Sequence, residues 1–127
     1  MKLLRHILLC GCSAVLCGCG NPGSAIANAP GNAQIDLDAT VLIDVRSADE
    51  YASGHLQGAV NIPHDRITDE IGTVAADKSA RIILYCRSGR RADTALNALK
   101  AAGYENVFNY GGLEDAQMRL ALPVISE

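Results

Sequence analysis

The sequence predicts an α/β domain: a central parallel β-sheet with helices on both faces. Short apolar runs rich in β-branched residues recur at Val41-Leu42-Ile43-Asp44-Val45, Ala59-Val60-Asn61-Ile62, Ile82-Ile83-Leu84-Tyr85 and Val107-Phe108-Asn109-Tyr110. Such runs suit strands covered on both sides. Between them apolar residues recur at helical spacing, most clearly Ala92, Ala95, Leu96, Leu99 and Ala102. Strands that alternate with helices pair in parallel, and such sheets place their ligand sites at the carboxyl ends of the strands. Asp44, Arg46 and Cys86 all fall at such ends.

Residues 1–18 have the form of a signal peptide: Lys2 and Arg5 at a charged start, then an apolar or small run from Ile7 to Cys17. No later run reaches the ~18 apolar residues of a membrane span. The ending Leu16-Cys17-Gly18-Cys19 resembles the bacterial lipobox. That resemblance implies a lipid anchor on Cys19 and a place on the periplasmic face of a bacterial membrane. The same letters at Leu9-Cys10-Gly11-Cys12 would leave too short an apolar core for a leader. An ordinary cleaved leader would instead give a soluble periplasmic protein. Residues 19–34 are rich in Gly, Pro, Asn, Ala and Ser, a flexible tether that reaches roughly 20 Å on average.

Residues 35–127 form one domain. Ile35 to Thr40 is ambiguous, and Val41 to Val45 is the first strand. Ser47-Ala48-Asp49-Glu50 fits a capping box, which starts a short helix over about Ala48 to Ser53. Gly54-His55-Leu56-Gln57-Gly58 reads as a turn, Ala59 to Ile62 as a strand closed by Pro63. A second helix is expected over His64 to Ala75, with Ile67, Ile71 and Val74 on one face. The run Ile82 to Tyr85 leads through Cys86-Arg87-Ser88-Gly89-Arg90-Arg91 into a helix that begins at Ala92. Val107 to Tyr110 is the last strand, Gly111-Gly112 a hinge, and Leu113 to Leu120 a short helix.

Charge narrows the function. Without the leader, nine basic residues face fourteen acidic ones, a net of −5, which argues against nucleic acid as a partner. The positive charge is concentrated beside Cys86, so a small anion held locally is the expected ligand. Of five cysteines, Cys10, Cys12, Cys17 and Cys19 lie in or at the end of the leader and only Cys86 lies in the domain. No pair spacing indicates a zinc site, and a lone thiol in an exported domain is a candidate reactive group. A loop closing onto a helix N-terminus turns backbone N–H groups inward. Together with Arg87, Arg90 and Arg91 they favour the thiolate, which is the nucleophile. A cysteine after a strand can also be a small core residue. Arg-Ser-Gly-Arg-Arg after it argues otherwise, because charged side chains are almost never buried unpaired.

Asp44-Val45-Arg46, Glu50-Tyr51, Gly54 through Pro63, the Cys86 loop and Gly111-Gly112 together resemble the rhodanese family, most of all its small exported single-domain members. The likeness runs from about Val41 to Pro123. It implies sulfurtransfer: Cys86 takes the outer sulfur of thiosulfate as a persulfide and passes it to cyanide or a thiol. By the same resemblance Cys86 is the nucleophile and the backbone N–H groups of Arg87, Ser88, Gly89, Arg90 and Arg91 hold the persulfide. Arg87 and Arg91 are candidates for the sulfonate, Arg90 faces solvent, and Asp44 and Arg46 brace the loop. His55, in the Gly-His-Leu-Gln-Gly turn, is structural. His64 opens a helix and is exposed, and Glu114-Asp115 is a solvated face. Ser88 and Glu50 stand where some two-domain members carry basic residues that contact substrate. Asp115, Ala116 and Gln117 stand where a Trp is common.

The implied partners are a small anionic sulfur donor and a thiol or cyanide acceptor, met by a monomer, with no metal and no cofactor beyond the covalent persulfide. Two other readings fit a reactive cysteine on this architecture. A cysteine phosphatase or arsenate reductase resembles Cys-x5-Arg, whereas Arg91 lies five residues after Cys86 and the sixth is Ala92. A non-enzymatic sulfur carrier or binding domain would usually lack the cysteine.

Overall fold

The computed structural model describes residues 35–127; Cys12, Cys19, the leader and the tether lie outside them. Its elements are β1 (Thr40–Asp44), α1 (Ala48–Ser53), β2 (His55–Leu56), β3 (Val60–Asn61), α2 (Ile67–Glu70), β4 (Arg81–Cys86), α3 (Arg90–Ala101), β5 (Val107–Gly112), α4 (Leu113–Leu120) and β6 (Val124–Ile125). Four strands form one parallel sheet in the order β3-β1-β4-β5. The central strands β1 and β4 pair from Thr40 with Arg81 to Asp44 with Tyr85.

Successive side chains of a strand point to opposite faces, and here each face has its own core. Ile43, Val45, Ile82, Leu84 and Cys86 pack toward α2 and α3, with Ala92, Ala95 and Leu99 from the latter. Leu42, Ile83 and Tyr85 pack on the other face, with Ala116 and Leu120 of α4 and the half-buried Tyr51 of α1. Every residue from Ile82 to Cys86 is fully buried. A strand covered on both sides has no polar alternation to display, which is why this stretch reads as one apolar run.

The capping box at Ser47 forms. Glu50 N donates to Ser47 Oγ at 3.4 Å, and Ser47 N donates to Glu50 Oε2 at 3.1 Å. Three expectations need correction. The helix expected over His64 to Ala75 is a single turn of α-helix at Ile67–Glu70 followed by a 3-10 turn at Ile71–Thr73. His64 N donates to Val45 O at 3.1 Å and Arg66 N to Pro63 O at 2.9 Å. The chain is thus spent on a turn against the sheet before it can wind, although Ile67 and Ile71 are still buried. Ala102, expected on the buried face of α3, caps that helix and is exposed; Gly103 then turns the chain at φ +96. His55 and Leu56 lie in a two-residue strand rather than a turn, paired antiparallel with Ile125 and Val124 of β6.

Candidate active site

Cys86 is the last residue of β4, and only Arg87, Ser88 and Gly89 separate it from α3. Gly89, the residue before α3, is left-handed at φ +89, a conformation that costs glycine nothing. This turns the chain back over the sulfur, and Gly89 N donates to Cys86 Sγ at 2.9 Å. Cys86 is fully buried and Gly89 is buried, whereas Arg87, Ser88 and Arg90 are exposed and Arg91 is half-buried.

The paired glycines are the wall on which this loop rests. Cys86 pairs with Gly112 after a register shift between Leu84 and Cys86. A Cβ on Gly112 would lie 2.7 Å from Arg87 O, and one on Gly89 would lie 3.2 Å from Gly111 Cα. Backbone therefore packs on backbone, a contact that only glycine permits. Asn109 ties the same parts together: its Nδ2 donates to Gly89 O at 2.9 Å, and its Oδ1 accepts from Gly111 N at 2.8 Å. Asp115, read from sequence as a solvated face, is exposed but accepts from Gly112 N at 3.1 Å.

Asp44 and Arg46 form a buried ion pair at the end of β1. Arg46 Nε reaches both carboxylate oxygens, at 2.9 and 3.0 Å, and Nη2 reaches Asp44 Oδ2 at 2.5 Å and Gly54 O at 2.6 Å. The bond to Asp44 raises the Arg46 pKa against the opposing effect of burial. The guanidinium also lies 5.9 Å from the centre of the Tyr85 ring. Tyr85 Oη accepts from Leu56 N at 3.0 Å, and burial pushes its phenol upward. Asn61 Nδ2 donates to both Asp44 O and Arg46 O at 3.0 Å. The carboxyl ends of β1, β3 and β4 are thereby locked together below the Cys86 loop.

Arg91 has a partner that its position in sequence does not reveal. Its two terminal nitrogens meet Glu50 Oε2 and Oε1 at 2.7 and 3.0 Å, the two-pronged geometry that suits guanidinium and carboxylate. Arg91 holds the Glu50 carboxyl down to about 2, with help from the Ser47 backbone and hydroxyl. Among the described residues Arg87 and Arg90 enter no ion pair.

His55 is buried in β2, its Nδ1 lies 2.8 Å from Tyr51 O, and its ring stacks on Tyr51 at 3.7 Å between centroids. His64 does not open a helix. It is half-buried in the turn before α2, a correction that follows from its backbone bond to Val45. Asn109, Asn61 and Tyr85 had no place in the reading of the sequence as site residues. The one signal available for Asn109 was an amide side chain inside an otherwise apolar strand, next to the paired glycines.

A thiol at the carboxyl end of a central parallel strand, roofed by a loop that runs into a helix and braced from below by a buried ion pair, defines an α/β domain built for chemistry at sulfur. The model of the rhodanese-like domain matches residues 30–118, and the chain belongs to that family. It is 41% identical over 76 residues to thiosulfate sulfurtransferase PspE of Escherichia coli (strain K12), a match covering 60% of this chain and 73% of that protein. It is 29% identical over 116 residues to the tRNA uridine(34) hydroxylase of Erwinia tasmaniensis, covering 88% of this chain but 33% of the larger enzyme. Among solved structures, a rhodanese with anions from E. coli superposes with a TM-score of 0.64 at 37% identity, over 70% of this chain and all of that one. The thiosulfate sulfurtransferase from Pseudomonas aeruginosa gives a TM-score of 0.63 at 27% identity, over 69% of this chain and 17% of that one.

Proposed function

We propose that this chain transfers the outer sulfur of thiosulfate, through a persulfide on Cys86, to cyanide or a thiol. The Cys86 thiolate attacks the outer sulfur. The S–S bond of thiosulfate breaks and sulfite leaves with the electron pair. The acceptor then attacks the outer sulfur of the persulfide, and the electron pair of that S–S bond returns to Cys86. The cycle needs no oxidant, metal or organic cofactor.

The observation that carries this reading is the Gly89 N–H aimed at Cys86 Sγ from 2.9 Å, on a loop whose other amides, from Arg87 to Arg91, would share the charge of the persulfide. Likeness to thiosulfate sulfurtransferases supports the donor. The Glu50–Arg91 pair supports giving the sulfonate to Arg87, since Arg91 already faces a carboxylate. Sulfur is favoured over phosphorus because the sixth position after Cys86, where a cysteine phosphatase resembling Cys-x5-Arg would carry its arginine, is Ala92. The likeness to hydroxylases extends over a third of those enzymes, and their whole activity is not assigned to this chain. The leader supports export with Cys19 as lipid anchor; radiolabelled palmitate that fails to enter the protein would overturn that placement.

The test is mass spectrometry of the purified protein after thiosulfate. Cys86 gains one sulfur and the Cys86→Ser variant gains none. A wild-type protein that stays unloaded, or a variant that forms thiocyanate at the wild-type rate, would sink the mechanism.

A further inference from the structure

A cleft of about 480 Å³ opens beside the Cys86 loop, walled by Arg46 and Glu50 on one side and by Arg87, Gly112, Glu114 and Asp115 on the other. Gly112 in its lining is the strand partner of Cys86, and Arg87 follows Cys86 in the chain, so the cleft adjoins the loop that covers the sulfur. Its volume is that of sites for small organic molecules, roughly 300–1,000 Å³. A diatomic anion such as cyanide would leave nearly all of it unfilled.

Most of the charge in these walls is already engaged. Arg46 is held by Asp44 and Gly54 O, Glu50 by Arg91, and Asp115 by Gly112 N. Arg87 and Glu114 remain: both are exposed, they have opposite signs, and among the described residues neither side chain is in an ion pair or a hydrogen bond. One cation and one anion on a small cleft fit a ligand that carries both charges.

Resting on the sulfurtransfer reading above, we propose that the acceptor is a small thiol bearing both an ammonium and a carboxylate, with Glu114 taking the ammonium and Arg87 the carboxylate. Arg87 serves the two halves of the cycle in turn. Sulfite leaves it with the first product, and the acceptor's carboxylate takes its place. The acceptor thiolate then attacks the outer sulfur of the Cys86 persulfide, a new S–S bond forms, the old one breaks, and Cys86 recovers its thiolate. Glu114 opposes an anionic donor and attracts a zwitterion, so it selects between the two kinds of ligand that must alternate at one sulfur.

The experiment loads Cys86 with thiosulfate, removes the excess, and measures unloading by cysteine and by 3-mercaptopropionate, which has the thiol and carboxylate but no ammonium. Wild type is compared with Glu114→Gln and with Glu114→Lys. Comparing the ratio of the two unloading rate constants between proteins cancels the intrinsic reactivity of each thiol. It falls about threefold in Glu114→Gln, the size expected of an exposed ion pair, and further in Glu114→Lys, where 3-mercaptopropionate gains. The same ratio in all three proteins would overturn the assignment of Glu114 while leaving sulfurtransfer intact. Failure of the wild type to load would instead overturn sulfurtransfer itself.

Discussion

Gly112→Ala is the sharpest perturbation that the site offers, because the backbone of Gly112 is extended, at φ −78 and ψ 172, and accepts any residue without strain. All of its effect must come from the added methyl, which would sit 2.7 Å from Arg87 O and 3.4 Å from Arg87 C. Relief to ordinary contact requires a shift of roughly 0.7 Å. Overpacking of this kind costs about 1–3 kcal/mol, and each kcal/mol lowers the melting temperature by about 4–8 °C in a domain of this size. Arg87 O belongs to the same rigid peptide as Ser88 N–H, so whatever moves the carbonyl also moves a loop amide above the sulfur. A misplacement of ~1 Å costs about a hundredfold in rate, so a shift of about 0.7 Å should cost roughly twentyfold in persulfide formation. Sulfite release in a single turnover, followed beside the melting temperature, gives both numbers. Gly72→Ala is the control, since a methyl there meets nothing within 4 Å. A Gly112→Ala protein that loads sulfur as fast as wild type would show that the loop does not lean on the glycines as described.

Asn109→Leu removes both amide bonds that hold Gly89 O and Gly111 N; it should lower stability by about 1–3 kcal/mol and slow loading, and full-rate loading in urea-matched conditions would refute its part in setting the loop. Arg46→Met leaves Asp44 charged and buried without its partner, a change that costs about 3–5 kcal/mol; a loss under 1 kcal/mol in urea denaturation would mean that water replaces the guanidinium. Glu50 is held at about 2, below the 4.5 of an ordinary glutamate, so its folded state is the one that binds the proton less readily. Its contribution is therefore complete above about 4.5 and is lost as pH falls toward about 2. Because both side chains of the pair are nearly a third exposed, we expect no more than about 1 kcal/mol. Glu50→Gln should flatten that part of the stability profile, and an unchanged acid limb would count against the bridge.

The sheet and its two flanking layers were legible because β1, β4 and α3 bury long periodic faces, and a face of that length leaves a pattern that chance does not. The segment from Cys86 to Arg91 was legible for a different reason: a nucleophile followed by glycine and arginines is a poor way to build a core. What escaped had no local signature. Strands β2 and β6 are two residues each, too short to show a period, and they lie nearly seventy positions apart. Glu50 and Arg91 are separated by 41 residues, so the charge that counters Arg91 could not be seen from the loop. Asn109 looked like any polar residue near a strand end. Its importance comes from a shift in pairing between β4 and β5, a feature of the assembled sheet rather than of either strand.

Helix α1 has six residues and buries none of them fully, and a helix that short does not persist unaided in water. It is moored at two points by guanidinium groups from other elements, Arg91 on Glu50 and Arg46 on Gly54 O, with Tyr51 half-buried between them and bonded to Ala59 O at 2.8 Å. One wall of the cleft is therefore held by polar moorings, while the strand that carries the sulfur is held by a sealed core. Segments secured in these two ways open with very different free energies. Amide hydrogens of α1 should exchange through local opening that salt accelerates, long before those of Ile82 to Tyr85 exchange by global unfolding. The rim can thus breathe around a ligand while the cysteine keeps its place, and equal protection of the two segments would show that rim and floor instead move as one body.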